Sequence, residues 1–358
     1  MLSEAERPVI VAGGGVLCAD NTDKLVTFAS GLQIPVVFTR LSNGVIPFSN
    51  SCSMGMGGIY GTFSANYALR NADLIIALGS RLAPGLVGED KELVAPDVKV
   101  FMISVDSSEL LRPNFDSQYG LSILLEDFFS HVMSRLHEID IHWMGWMVDC
   151  TKRKNPMPEP VGDPIDLYSF IGAIDRHAKS NHVITVDAGT SYYVCGQVLK
   201  FETGYCEVSS ASYASMGLSI PLAIGASLSS TSVQVLAITG DGSIETNIQE
   251  LHTVSIYGLD IKIFVINNGG YASIRNSQDK HCEGRYFNSD QFGDGELLNF
   301  QDVATAFKMP YILLDSYSKI DEVLHNVIGS IGPVVVEVVC KKDQKLFRPG
   351  YEEYASDH

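Results

Sequence analysis

One stretch constrains the fold more than any other: "VQVLAITGDGSIETNIQELHTVSIYGLDIKIFVI", Val233 to Ile266. Val233–Ile238 and Ile261–Ile266 are short, β-rich apolar runs of the kind that form buried strands. Between them Ile244, Ile248, Leu251 and Val254 recur at helical spacing, and Gly258 stands where a helix C-terminus favours glycine. Strand, turn, helix and strand in this order make a crossover that lays the two strands parallel, either adjacent or one strand apart. Asp241 and the pair Asn267–Asn268, which follow it by 26 and 27 residues, then emerge at one carboxyl edge.

The turn holding Asp241 also opens a helix, whose free N–H groups and positive dipole end favour phosphate. A carboxylate and an amide oxygen suit a hard cation such as Mg2+, which takes oxygen ligands at roughly 2.0–2.1 Å and completes its shell with phosphate and water. A diphosphate held through Mg2+ meets both requirements. Taken singly, "GDG" is also a tight turn and "NNGG" a loop, because their residues tolerate positive φ. The two together, with a helix and a strand between them, point to a site.

This pattern resembles the thiamine diphosphate signature, GDG followed after about 25 residues by NN, of the acetolactate synthase, pyruvate oxidase and benzoylformate decarboxylase superfamily. "GDGSIETNIQEL" and "NNGGYASIRNSQ" are most similar to its acetolactate synthase-like branch. The resemblance implies that Asp241 and Asn268 give side-chain oxygens to Mg2+ and Gly270 its backbone carbonyl. Gly240, Asp241, Gly242 and Ser243 form the cofactor-binding turn, with Gly242 and Ser243 against the diphosphate.

Two upstream segments extend the match. "VITVDAGTSYYVCGQ" is a strand, Val183–Val186, that enters a helix through a small-residue turn, again an anion-binding geometry. In the family this turn holds the other side of the diphosphate, here Gly189, Thr190 and Ser191. "ASMGLSIPLAIGAS" resembles the family's "GTMGFGLPAAIGA". By that match Met216 is the bulky wedge that bends the cofactor, and the backbone at Ala214 and Met216 bonds the aminopyrimidine. On its own Met216 also reads as a gap-filling core methionine; its neighbours favour the wedge.

The first half alternates in the same way. The runs "RPVIVAGGG", "IPVVFT", "ADLIIALGS" and "VKVFMISVD" imply a second parallel, doubly wound sheet. The expected fold is therefore α/β, with two doubly wound parallel-sheet domains. As a dinucleotide fingerprint the first turn is weak: Gly13, Gly15 and Cys18 occupy the three glycine places, and the third is not glycine. By resemblance this half is the family's central domain, which carries FAD in some members. "ALGSRLAPGLVG" matches "GARFDDRVTG" at Arg81 but has Ala83 and Gly85 where flavin-binding members have an acidic and a basic residue. Losing such groups weakens a nucleotide site, so the expectation is a remnant without FAD. Asp106, at the end of "MISVD", is either a ribose contact or a plain strand terminus.

With 46% hydrophobic and 19% charged residues, the 358-residue chain has core enough for two domains. Residues 1–150 form the expected central domain and 165–345 the thiamine diphosphate-binding domain. The proline-rich 151–164 is a linker and 346–358 a tail. A net charge of -17 argues against nucleic acid and anionic membranes as partners. Neither a long apolar span nor a signal peptide is seen. The seven cysteines show no CxxC spacing, which fits buried thiols in a reducing cytoplasm. Glu245 most simply complements the helix dipole, Glu250 is structural, and His252, His281 and Cys282 lie at no metal or triad spacing.

The resemblance thus implies decarboxylation and C–C bond formation on a 2-oxo acid, with thiamine diphosphate and Mg2+ as cofactors. Family members place a domain of roughly 150–180 residues, an ordinary domain size, ahead of the one beginning "RPVIVAGGG". It supplies the glutamate that activates the cofactor. Neither that domain nor its glutamate is found in these residues, so a homo- or hetero-oligomeric partner is expected to supply a pyrimidine-binding domain. Two other readings stay open: a non-catalytic cofactor-binding subunit or degenerate paralogue, and a flavin- or nicotinamide-dependent oxidoreductase using the first half.

Overall fold

The computed structural model describes residues 1–111, 119–179, 181–202, 206–210, 213–230, 232–290 and 298–349. The chain divides into two compact units: Met1–Pro156 with Lys200–Glu202 and Phe347–His358, and Met157–Leu199 with Thr203–Leu346. The division falls between Pro156 and Met157, inside the stretch 151–164, although the helix Met144–Thr151 runs to its first residue. Phe347–Pro349 pack with the first unit, where the Asn66 side chain donates to the Pro349 carbonyl and Arg348 lies over the Tyr60 ring. Residues 350–358 of the expected tail are outside the described residues.

In the first unit β1 (Pro8–Ala12), β2 (Val36–Phe38), β3 (Ser53–Met56), β4 (Leu74–Leu78), β5 (Lys99–Ser104) and β6 (Tyr119–Ser122) form one parallel sheet in the order β3-β2-β1-β4-β5-β6. β1 and β4 are buried on both faces, which is why both read as unbroken apolar runs. β3 and β6 escape the sequence reading. "SMGM" is short and holds a glycine, and the edge strand "YGLS" is largely exposed, so neither carries an apolar run.

The strand order reverses between β1 and β4, the usual crevice for a ligand. Here the glycine turn is spent on packing. A Cβ on Gly13 would lie 2.2 Å from the Gly79 carbonyl oxygen, and one on Gly15 would lie 2.9 Å from the Gly79 Cα. The N–H groups of Gly13, Gly15 and Val16 donate to the carbonyls of Leu78, Gly79 and Gly13. These three amides are thereby engaged within the protein. Asp106 accepts from the backbone and hydroxyl of Ser108, which caps the turn after β5. The expected result is a colourless preparation that releases no flavin on denaturation; an absorption spectrum showing stoichiometric FAD would overturn this.

In the second unit β7 (His182–Val186), β8 (Cys206–Ser209), β9 (Gln234–Gly240), β10 (Ile261–Asn267), β11 (Tyr311–Leu314) and β12 (Val334–Val339) form a second parallel sheet, ordered β11-β12-β10-β9-β7-β8. β9 and β10 are adjacent, with Gly240 opposite Ile266. The expected helix between them is segmented into Asp241–Ile244, a 3-10 turn Glu245–Asn247 and Glu250–Ile256. Its apolar face is buried at Ile244, Leu251 and Val254, and Gly258 adopts φ +57 just beyond it. Lys262 sits inside the apolar run of β10 and is fully buried. Its ammonium pairs with Asp260 at 2.7 Å and donates to the Ser330 and Gly332 carbonyls, which makes its burial tolerable.

None of the seven cysteines forms a disulfide, but the expectation that they are buried holds only for Cys52, Cys150, Cys195 and Cys340. Cys18 and Cys206 are exposed because they lie on a short helix and an edge strand, and Cys282 is half-buried at a helix end. His252 and His281 are exposed. Among the described residues no helix is long and apolar enough to cross a membrane, and no group of three or more metal-ligating His, Cys, Asp or Glu occurs.

Candidate cofactor site

The order of the second sheet also reverses, between β7 and β9, and the loops leaving these strands meet β10 at the same edge. They enclose a cleft of about 220 Å³. Its lining includes every residue that the sequence assigned to cofactor or metal: Gly189, Thr190, Ser191, Ala214, Met216, Gly240, Asp241, Gly242, Ser243, Asn268 and Gly270.

Asp241 is 2% exposed at the end of β9. One carboxylate oxygen accepts the Gly242 N–H at 2.7 Å, and the other accepts those of Asn268 at 3.1 Å and Gly270 at 2.9 Å. Burial pushes its pKa up against the pull of these donors. Among the described residues it forms no ion pair. A buried carboxylate held only by neutral amides suits a cation, and Asn268 and Gly270 line the same cleft with an amide side chain and a backbone carbonyl. The donor set therefore fits Mg2+.

The asparagine pair divides its labour. Asn267 is scaffold: its amide donates to Glu337 at 2.7 Å, and its oxygen accepts the Gly269 N–H at 3.2 Å. Asn268 lines the cleft, and among the described residues its side chain makes no hydrogen bond. The loop is clasped from behind by Arg275, 3% exposed, whose guanidinium donates to the carbonyls of Asn268, Gly269, Ser289 and Lys342.

On the opposite wall, Gly189 caps the helix Thr190–Val198 with φ +84, leaving that helix N-terminus open to the cleft. Met216 is 44% exposed, which excludes a core-filling role. Ala214 adopts φ +44, a left-handed conformation unfavourable for a residue with a Cβ. The resembling segment has glycine there, so the backbone shape has been kept at the expense of local strain.

Several residues of the site were not identified from sequence. Tyr271 lines the cleft and lies on Gly242, where a Cβ would be 2.4 Å from the Tyr271 ring. Burial, then Glu245 and Asp241, raise its pKa, so the phenol stays neutral. Arg275 and Asp187 also went unread, although an acid at a strand's carboxyl end, as in "VDAGT", repeats the setting of Asp241. Glu245 is not in the lining, and burial with the Asp241 charge raises its pKa; Glu250 accepts from Thr253.

The contact at Gly242 yields a prediction. Gly242→Ala should destabilise the protein by roughly 1–3 kcal/mol through overpacking, and a second change, Tyr271→Ala, should recover part of the loss. Thermal melts of the single and double variants check this.

Comparison with known proteins identifies the second unit first. Residues 187–338 match the thiamine pyrophosphate enzyme C-terminal TPP binding domain. Residues 1–120 match the thiamine pyrophosphate enzyme central domain. The chain belongs to the thiamine pyrophosphate enzymes. Similar proteins are acetolactate synthase large subunits: that of Lactococcus lactis subsp. lactis is 31% identical over 96% of this chain and 59% of its own length. Isozyme 1 of Escherichia coli is 29% identical over 97% of this chain and 61% of its own length. The Corynebacterium glutamicum subunit is 30% identical over 97% and 56%. The chain thus spans about three-fifths of the length of these relatives. Thiamine diphosphate and Mg2+ are the cofactors that this family and these relatives imply for the cleft.

Proposed function

We propose that this chain takes part in thiamine diphosphate- and Mg2+-dependent decarboxylation and carboligation of a 2-oxo acid, in the manner of an acetolactate synthase. The observation that carries the reading is the uncompensated buried carboxylate of Asp241 beside Asn268 and Gly270 at a switch-point edge. In this reading the Asp241 and Asn268 side chains and the Gly270 carbonyl hold the metal. Gly189, Thr190, Ser191, Gly240, Gly242 and Ser243 cradle the diphosphate. Met216 supports the rings from the side, with the backbone at Ala214 and Met216 gripping the aminopyrimidine.

The bound cofactor would supply a nucleophilic carbon and an electron sink for the substrate carbonyl. The chain's own contribution is position, charge balance and exclusion of water from the diphosphate. Among the described residues Asp241 is the sole acid lining the cleft, and it is committed to the metal. In this reading the activating carboxylic acid is supplied by a separate pyrimidine-binding domain.

Two observations support a partner surface. The cleft is smaller than the roughly 300–1,000 Å³ typical of complete small-molecule sites. Around its mouth Tyr213 is 91% and Ile274 50% exposed, and the apolar helix Ser219–Ser229 buries only Ser219, Ile220 and Ala223. Seven cysteines without a disulfide among them are in keeping with a reducing, cytoplasmic setting. The test is titration of the purified chain with thiamine diphosphate, with Mg2+ and then in excess chelator. Binding only with the metal is expected; tight binding in chelator would sink the metal assignment.

A further inference from the structure

We infer that Asp187 is a positioning residue that fixes Met216 by holding the peptide unit that follows it, an inference that rests on the thiamine diphosphate reading of the cleft. Asp187 ends the β7 run and is 1% exposed. One carboxylate oxygen accepts the N–H of Gly217 at 2.8 Å and of Ala188 at 2.9 Å; the other accepts the Thr239 hydroxyl at 2.9 Å. A single side chain thereby joins the 188–191 turn, the 214–217 segment and the end of β9, the three stretches that would grip the cofactor from this sheet.

Gly217 is held from its other side as well. Its carbonyl accepts the Asn247 amide at 3.0 Å, its φ is +76, and a Cβ there would lie 1.8 Å from the Thr246 hydroxyl. The peptide unit between Met216 and Gly217 is planar and trans, so anchoring its N–H on Asp187 also fixes the direction of the Met216 carbonyl. Met216 itself lies in the open cleft wall, and its flexible thioether chain takes its placement from the backbone. A carboxylate is the strong acceptor for such an anchor, and a buried N–H that loses its acceptor is penalised in full.

The test uses the full 358-residue chain and two probes measured calorimetrically with Mg2+: thiamine diphosphate and inorganic pyrophosphate. Pyrophosphate engages only the metal and phosphate cradle, so it reports damage that does not pass through Met216. Asp187→Ala should weaken thiamine diphosphate binding by about tenfold or more, the loss expected for an unsatisfied buried donor, and pyrophosphate binding by less than about threefold. Asp187→Asn keeps an acceptor for Gly217 and can donate to Thr239, so it should restore thiamine diphosphate affinity to within about threefold of the original.

Placed on Met216→Ala, Asp187→Ala should add little, because coupled residues are not additive. If Asp187→Ala does not fold, Asn247→Ala frees the other side of the same glycine and should give the same split between probes. Equal losses for both probes, additive effects with Met216→Ala, or unchanged thiamine diphosphate affinity would each overturn the inference. If the unaltered chain bound Mg2+ and pyrophosphate but not thiamine diphosphate, the cofactor reading would fail and this inference with it.

Discussion

Asp241→Ala is expected to erase the joint stabilisation of the protein by thiamine diphosphate and Mg2+. A ligand that binds only the folded state stabilises it by RT ln(1 + [L]/Kd), about 2.7 kcal/mol at a hundredfold excess over Kd. At roughly 2–4 °C per kcal/mol for a domain of this size, the unaltered chain should melt about 5–10 °C higher with both ligands present. Neither ligand alone should give that shift, because the cleft offers the diphosphate no cation of its own: among the described residues its lining contains neither lysine nor arginine. Removing the Asp241 carboxylate withdraws the one charged metal ligand and leaves the N–H groups of Gly242, Asn268 and Gly270 without their acceptor. The variant should therefore also melt lower without ligands. A full ligand shift retained by Asp241→Ala would mean that the metal is held elsewhere.

The second large effect concerns turnover. These 358 residues alone should show negligible decarboxylation of a 2-oxo acid such as pyruvate and negligible acetolactate formation. A positioned general acid or base contributes about 10²–10⁴-fold, and among the described residues no spare acid lines the cleft. Supplying a pyrimidine-binding domain with its glutamate, in trans or by fusion, should raise the rate by at least about a hundredfold on the same reasoning. Glu245 is the nearest alternative, since it follows Asp241 by one helical turn, but it is not among the residues that line the cleft. Robust turnover by the purified chain would show that an acid within it does the work, and Glu245→Gln would then be the first variant to make.

Much of this site was legible because it is built from strand ends. Strands buried on both faces announce themselves as apolar runs, and the residues directly after such a run must emerge at the carboxyl edge. Asp241 and Asn268 were placed at that edge by this logic, whereas Gly189 was named through the family resemblance. Arg275 was not, because its role is to bind backbone carbonyls and no side-chain pattern encodes such partners. Tyr271 was missed for a related reason: an aromatic after two glycines reads as part of a loop until its ring is seen lying on Gly242. β3 was silent because it is short and holds a glycine, and β6 because most of it is exposed. The strain at Ala214 is a property of φ, which a resemblance can hint at through the lost glycine but which composition cannot express.

The interlocked turns of the first sheet carry a consequence for how such chains diverge. Gly13 and Gly15 are required by the approach of Gly79, whatever the crevice binds. Selection for folding would keep them after any nucleotide had been lost, so their persistence among descendants would record packing and not chemistry. Restoring the missing third glycine at Cys18 would complete the spelling of a dinucleotide motif while its amides stayed tied to the neighbouring strand ends. A surviving glycine pattern in this position is a fossil of shape.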